Sequence, residues 1–106
     1  AFMQRVKDAV EANVDKADFD MDALAGELGM SRSALFKRIK ALTGESPSEF
    51  VRNYKLTKAV DLLTHSDRSI TDVAYASGFS DVGYFGKCFR KKYGMSPRDY
   101  KNRKEN

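Results

Sequence analysis

The hydrophobic residues of this chain come in short runs at helical spacing, divided by polar turns. Phe2, Val6, Val10 and Val14 repeat every four residues, with Met3 and Ala9 beside them. Such a stripe is one face of a helix and predicts a first helix over about residues 2–15. Its polar face is largely acidic or neutral, which suits packing support. Lys16 to Phe19 reads as a loop. Asp20 is placed to cap a second helix, Asp22 suits that helix's positive end, and Leu24, Ala25 and Leu28 form its buried side. Gly29 stands where the chain turns sharply, and Ser31 caps the third helix. On a wheel of 100° per residue, Leu35, Ile39 and Leu42 share an inward face. Ser33, Phe36, Lys37 and Lys40 lie on the other side, with Arg32 near the helix start. Leu24 to Thr43 is therefore two short amphipathic segments around a Gly29-Met30-Ser31 corner, the second with a free basic face. A helix-turn-helix offers a reading helix to a DNA major groove in this way. A plain solvated face would explain the lysines, but an exposed Phe36 asks for a further reason.

Gly44 ends the third helix. Ser46-Pro47-Ser48-Glu49 opens the fourth with a capping box and a proline at the first helical position. Phe50, Tyr54, Leu56, Ala59, Val60, Leu62 and Leu63 carry this helix to about Thr64, a length of ~27 Å that can bridge two modules. His65 to Arg68 is a polar loop. Ser69-Ile70-Thr71-Asp72 reads as another capping box, opening a helix with Ile70, Val73, Ala74 and Ala76 that reaches Ser77. Gly78-Phe79-Ser80 makes a second corner. The next helix has Phe85 and Phe89 on one side, Gly83, Lys87 and Arg90 opposite, and Gly86 at the flank. Gly94 ends it. A short last helix begins at Ser96-Pro97-Arg98-Asp99-Tyr100, and the polar end from Lys101 to Asn106 is expected to fray.

A shift of 50 residues superposes the halves. Leu35 meets Phe85, Lys37 meets Lys87, Ile39 meets Phe89, Gly44 meets Gly94, Ser46 meets Ser96, and Pro47 meets Pro97. Phe50 meets Tyr100. Before the corner the offset is 49, since Ala25 meets Ala74, Gly29 meets Gly78 and Asp20 meets Ser69. The second corner is thus one residue longer. Duplication gives two reading helices joined by one connector.

Composition sharpens this picture. A length of 106 residues suits one compact domain, with 42% hydrophobic and 32% charged residues, the balance of a globular chain. The net charge is +4, but residues 1–50 hold 7 Lys/Arg against 9 Asp/Glu, while residues 51–106 hold 12 against 6. A basic second half points to a polyanionic partner. No apolar run approaches the ~20 residues of a membrane helix. No secretory signal is visible, and the lone Cys88 fits a reducing cytoplasm. The opening on Ala1, already inside an amphipathic pattern, is what a domain cut from a longer protein would show.

Other chemistries find little support. His65, Cys88 and the aspartates follow no nucleophile pattern, so no catalytic residue and no enzyme activity are expected. One His and one Cys do not make a metal site, and the run Asp15, Asp18, Asp20, Asp22 lacks the spacing and glycine of a calcium loop. No Walker-type loop is present, and no cofactor is expected. Cys88, beside the Phe85/Phe89 face, reads as a small core residue. The rival from another class is a helical protein-interaction module that binds no DNA. It would want a broad apolar groove and no basic face, whereas this chain has a basic face twice.

GMSRSALFKRIKALTGESPSEF and GFSDVGYFGKCFRKKYGMSPRDY resemble the two halves of the AraC/XylS-type DNA-binding domain, over about residues 3 to 101. The resemblance implies an all-α fold of seven helices, with two helix-turn-helix modules bridged by a long central helix. One domain over 1–106 would hold a first module at about 1–45, a linker helix at about 46–64 and a second module at about 69–101. It implies the output domain of a bacterial transcription regulator, binding double-stranded DNA in two successive major grooves. The opening FMQRVKDAVEANV further resembles the output domain of hybrid two-component sensor-regulators. Linked sensor or receiver domains, the transcription machinery as a partner and a cytoplasmic location follow from that likeness, with no membrane contact. By position, the resemblance carries DNA contact to Arg32, Ser33, Phe36, Lys37 and Lys40, and to Val82, Gly83, Gly86, Lys87 and Arg90. Two of the second set are glycines, which bring no base-reading group, so that module is expected to grip phosphates or sense DNA shape. Helix N-termini and Arg52, Lys55, Arg68 and Lys91 are the expected phosphate contacts.

Overall fold

The computed structural model describes residues 1–14, 16 and 19–104. Among them are seven helices and no strand: α1 (Phe2–Ala12), α2 (Met21–Glu27), α3 (Arg32–Thr43), α4 (Pro47–His65), α5 (Ile70–Ala76), α6 (Val82–Tyr93) and α7 (Pro97–Lys104). The chain divides into two compact units, Ala1–Tyr54 and Lys55–Asn106. The all-α expectation holds, and helix α4 runs without a break through the boundary.

The first unit packs Val6, Ala9 and Val10 of α1 against Leu24, Ala25 and Leu28, with Leu35 and Ile39 of α3 and Val51 of α4. Phe2, Phe19, Met30 and Tyr54 pack around this cluster. The α1 stripe outlasts its helix. The helix ends at Ala12, earlier than the spacing predicts, and Val14 is buried from the turn beyond it. Asn13 supplies the reason. Its backbone leaves the helical region, and its buried amide Nδ2 donates to the Ala9 carbonyl at 2.8 Å and to Glu27 Oε1 at 3.3 Å. A buried amide with both partners satisfied is a stable stop. Asp15 and Asp18 of the acidic run lie outside the described residues.

A second correction concerns Leu42, which is 58% exposed although the wheel places it beside Leu35. It lies in the last turn of α3, past the buried cluster of Leu35 and Ile39. A wheel gives direction around an axis and says nothing of cover along it. The repeat held the warning, because position 42 meets the charged Lys92 in the second half.

Tyr54 Oη donates to Glu11 Oε2 at 2.8 Å and ties α4 to α1. Burial, then this bond to a carboxylate, raise the Tyr54 pKa from 10.0 to about 12. A raised folded pKa means the phenol adds stability below pH 10 that is lost as pH climbs through about 12. An ultraviolet titration should therefore show a late tyrosine ionisation that vanishes in Tyr54→Phe. Loss of an ordinary ionisation near pH 10 in that variant, with the late one retained, would place the Tyr54 phenol in ordinary solvent.

The second unit gathers Leu56, Ala59 and Leu63 of α4, Val73 and Ala74 of α5, Phe79, and Phe85 and Phe89 of α6. Its core is aromatic. Phe85 lies 5.1 Å from Phe79 and 5.8 Å from Phe89, ring centre to ring centre. Phe89 also meets Tyr93 at 4.6 Å and Tyr100 at 5.6 Å. Cys88 packs partly buried at its edge, as expected of a small core residue. Helix α7 continues to Lys104 where the polar composition suggested fraying from Lys101. Lys101 Nζ donates to the Arg68 carbonyl at 3.0 Å, which ties down the middle of that helix.

The two corners share one geometry. Gly29 N donates to the Gly26 carbonyl and Met30 N to the Ala25 carbonyl, at 3.1 and 3.0 Å. Gly78 N donates to the Tyr75 carbonyl and Phe79 N to the Ala74 carbonyl, at 3.1 and 2.9 Å. This pairing closes a helix through a left-handed residue. Gly29 and Gly78 have φ of 68° and 104°, where a side chain would be strained. Met30 and Phe79 then fold back onto their own cores. The extra residue of the second corner is accordingly Ser80, which follows the shared turn.

Candidate nucleic-acid interface

Helices α3 and α6 start alike. Ser31 Oγ accepts from the Ala34 backbone N–H at 3.1 Å, as expected. Asp81 Oδ1 accepts from the Tyr84 backbone N–H at 3.0 Å. Asp81 sits 50 residues after Ser31, so the repeat could have revealed this cap. Each helix buries two residues four apart, Leu35 and Ile39 in one and Phe85 and Phe89 in the other. Burying that side turns the opposite one outward, which fixes what each helix offers.

On α3, Arg32, Ser33, Lys37 and Lys40 are exposed, and Phe36 is 50% exposed. The structure thus brings the five expected residues onto the uncovered part of one helix. Arg32 is not free there. Its Nε lies 3.3 Å from Asp22 Oδ1 of α2. On α6, Gly83, Lys87 and Arg90 are exposed, Gly86 is half-buried, and Val82 is half-buried against the second core. At Gly86 nothing lies within 4 Å of where a Cβ would stand. Its lack of a side chain therefore answers no crowding inside the protein.

The four outlying cations differ among themselves. Arg68 and Lys91 are exposed, and Arg52 is half-buried. Lys55 is half-buried, with Nζ 5.9 Å from the centre of the Phe79 ring, and burial lowers its pKa. Desolvation of that kind leaves Lys55 the least available of the four to a phosphate. Residue-by-residue reading missed Tyr84, which is 51% exposed and shares a side of α6 with Lys87 and Lys91 by spacing of three and seven. A wheel drawn from Phe85 would have found it. No helix among the described residues is long and apolar enough to cross a membrane.

Comparison with known proteins agrees with this geometry. Residues 24–103 match the model of a helix-turn-helix domain family. Histidine kinase P4 of Formosa agariphila is 42% identical over 94 residues, 89% of this chain and 7% of that protein. The HTH-type transcriptional activator RhaS of Escherichia coli is 39% identical over 82 residues, 77% of this chain and 30% of that protein. This chain thus spans less than a third of either relative. Among solved structures, the DNA-binding domain of AdpA, a global transcriptional factor, in complex with a target DNA shares 29% identity with a TM-score of 0.81, covering 93% of this chain and 91% of that one. Two like-capped helices behind glycine corners, a family match across both units and these relatives lead to one assignment: the chain belongs to the AraC-type helix-turn-helix DNA-binding domains of transcription regulators.

Proposed function

We propose that the outer face of α3 reads bases and that of α6 mainly holds the DNA backbone. The observation behind this is the unequal dress of two equivalent helices. The α3 face carries a guanidinium, a hydroxyl, a half-exposed ring and two ammonium groups. Lysine and arginine can meet guanine edges, and Phe36 can meet a thymine methyl. The α6 face carries Lys87, Arg90 and the half-exposed Tyr84, with no side chain at Gly83 or Gly86. Charge alone suffices for phosphate, whereas base discrimination needs side-chain donors, acceptors or methyl contacts. The open space at Gly86 lets DNA come close to the α6 backbone, which favours shape reading over base reading. Arg52, Arg68 and Lys91 supply further phosphate contacts, with Lys55 a minor one.

In this reading the chain acts in the cytoplasm as the output part of a longer regulator. The kinship with a histidine kinase supports a two-component setting, with sensor or receiver domains carried elsewhere in the protein and the transcription machinery as a further partner. Selection of bound sites from random duplex DNA tests the division of labour. Two blocks of preference should emerge about one helical turn, ~34 Å, apart. The block under α3 should be sharp and the other shallow. Lys87→Ala and Arg90→Ala should each weaken binding and lower the salt slope by about one while leaving most sequence preference intact. Equally sharp preferences in both blocks would end the asymmetric assignment and leave two-module DNA binding standing.

A further inference from the structure

We infer that Asp22, on the helix before the reading helix, is a specificity-positioning residue that acts through Arg32. Arg32 is the first residue of α3, one step after the Ser31 cap. A helix start carries partial positive charge and disfavours a guanidinium. Left alone, the Arg32 side chain would swing away from that end. Asp22, in the first turn of α2, brings a carboxylate oxygen to 3.3 Å from Arg32 Nε. The carboxylate offsets the unfavourable helix end and stands as an ion-pair partner beside the inner nitrogen of the guanidinium. That leaves the two terminal Nη groups, the fork that can pair with the O6 and N7 of one guanine. A guanidinium biased toward one place by a neighbouring carboxylate loses less conformational freedom when it meets a base, so more of the contact energy appears as discrimination.

Two observations tell against a role for this pair in holding the fold together. Both side chains are largely exposed, at 68% and 67%, and such a pair adds little to stability. The second unit, built on the same plan, does without it. Asp22 corresponds to Thr71 and Arg32 to Val82, yet α5 and α6 form the same corner and bury the same face. The fold needs no ion pair at this place. It occurs in the copy whose outer face is dressed for reading bases.

The inference rests on α3 facing DNA, and one set of measurements tests the two ideas apart. The probes are the duplex selected by the unmodified chain and a duplex of unrelated sequence. Asp22→Asn should melt like the parent protein and lose about twofold to fivefold in affinity for the selected duplex. Its affinity for the unrelated duplex should hold or rise, because a negative charge near phosphates is gone. The base positions whose preference weakens should be those that weaken in Arg32→Ala. In an Arg32→Ala background, Asp22→Asn should cost no further specificity. Equal tightening on both duplexes would reduce Asp22 to a general field effect and overturn the inference. So would an Asp22→Asn loss that persists at full size without Arg32. Should Arg32→Ala change nothing while Lys37→Ala still alters preference, the inference fails and the α3 reading survives. If neither variant alters preference, the α3 reading fails as well.

Discussion

Phe89→Ala is expected to lower stability by ~3–5 kcal/mol, enough to unfold much of a small unit. Phe89 is fully buried. Its ring meets those of Phe85, Tyr93 and Tyr100, which come from two helices. Truncation removes the ring's own burial and leaves its three neighbours facing a void that they cannot close without leaving their rotamers. Phe89→Leu keeps much of the volume and should cost clearly less. Urea unfolding of the two variants checks the ordering. A Phe89→Ala chain that melts with the parent protein would mean that the core collapses around the gap, against the ring geometry described here.

Lys37→Ala is expected to cost ~1–3 kcal/mol of specific binding if its ammonium meets a guanine edge. Lys37 stands exposed on α3, on the side opposite Leu35 and Ile39. Binding to unrelated duplex should suffer less, because one phosphate-range charge among many is a small share of the nonspecific term. Titrations of the selected and the unrelated duplex at two salt concentrations resolve the role. Equal losses on both would make Lys37 a phosphate contact, and no loss on either would take it out of the interface.

Much of this molecule was legible in its residues. The helix stripes, the caps at Asp20, Ser31 and Ser46, and the offset between halves predicted the seven helices, because each is a local consequence of backbone hydrogen bonding and apolar spacing. The outward side of α3 was legible too, since Leu35 and Ile39 leave only one direction for Lys37 and Lys40. What local spacing could not decide was cover. Leu42 has the inward direction and no neighbour over it, while Val14 is buried from beyond a helix that had already ended. Only packing settles whether a direction is occupied. The same holds for Asp22 and Arg32, ten residues apart on different helices. By itself the sequence determined a cap-side acid on one helix and a cation at the start of the next. The turn at Gly29 and the packing of α2 on α3 decided that they meet, because a contact between helices depends on how their axes cross.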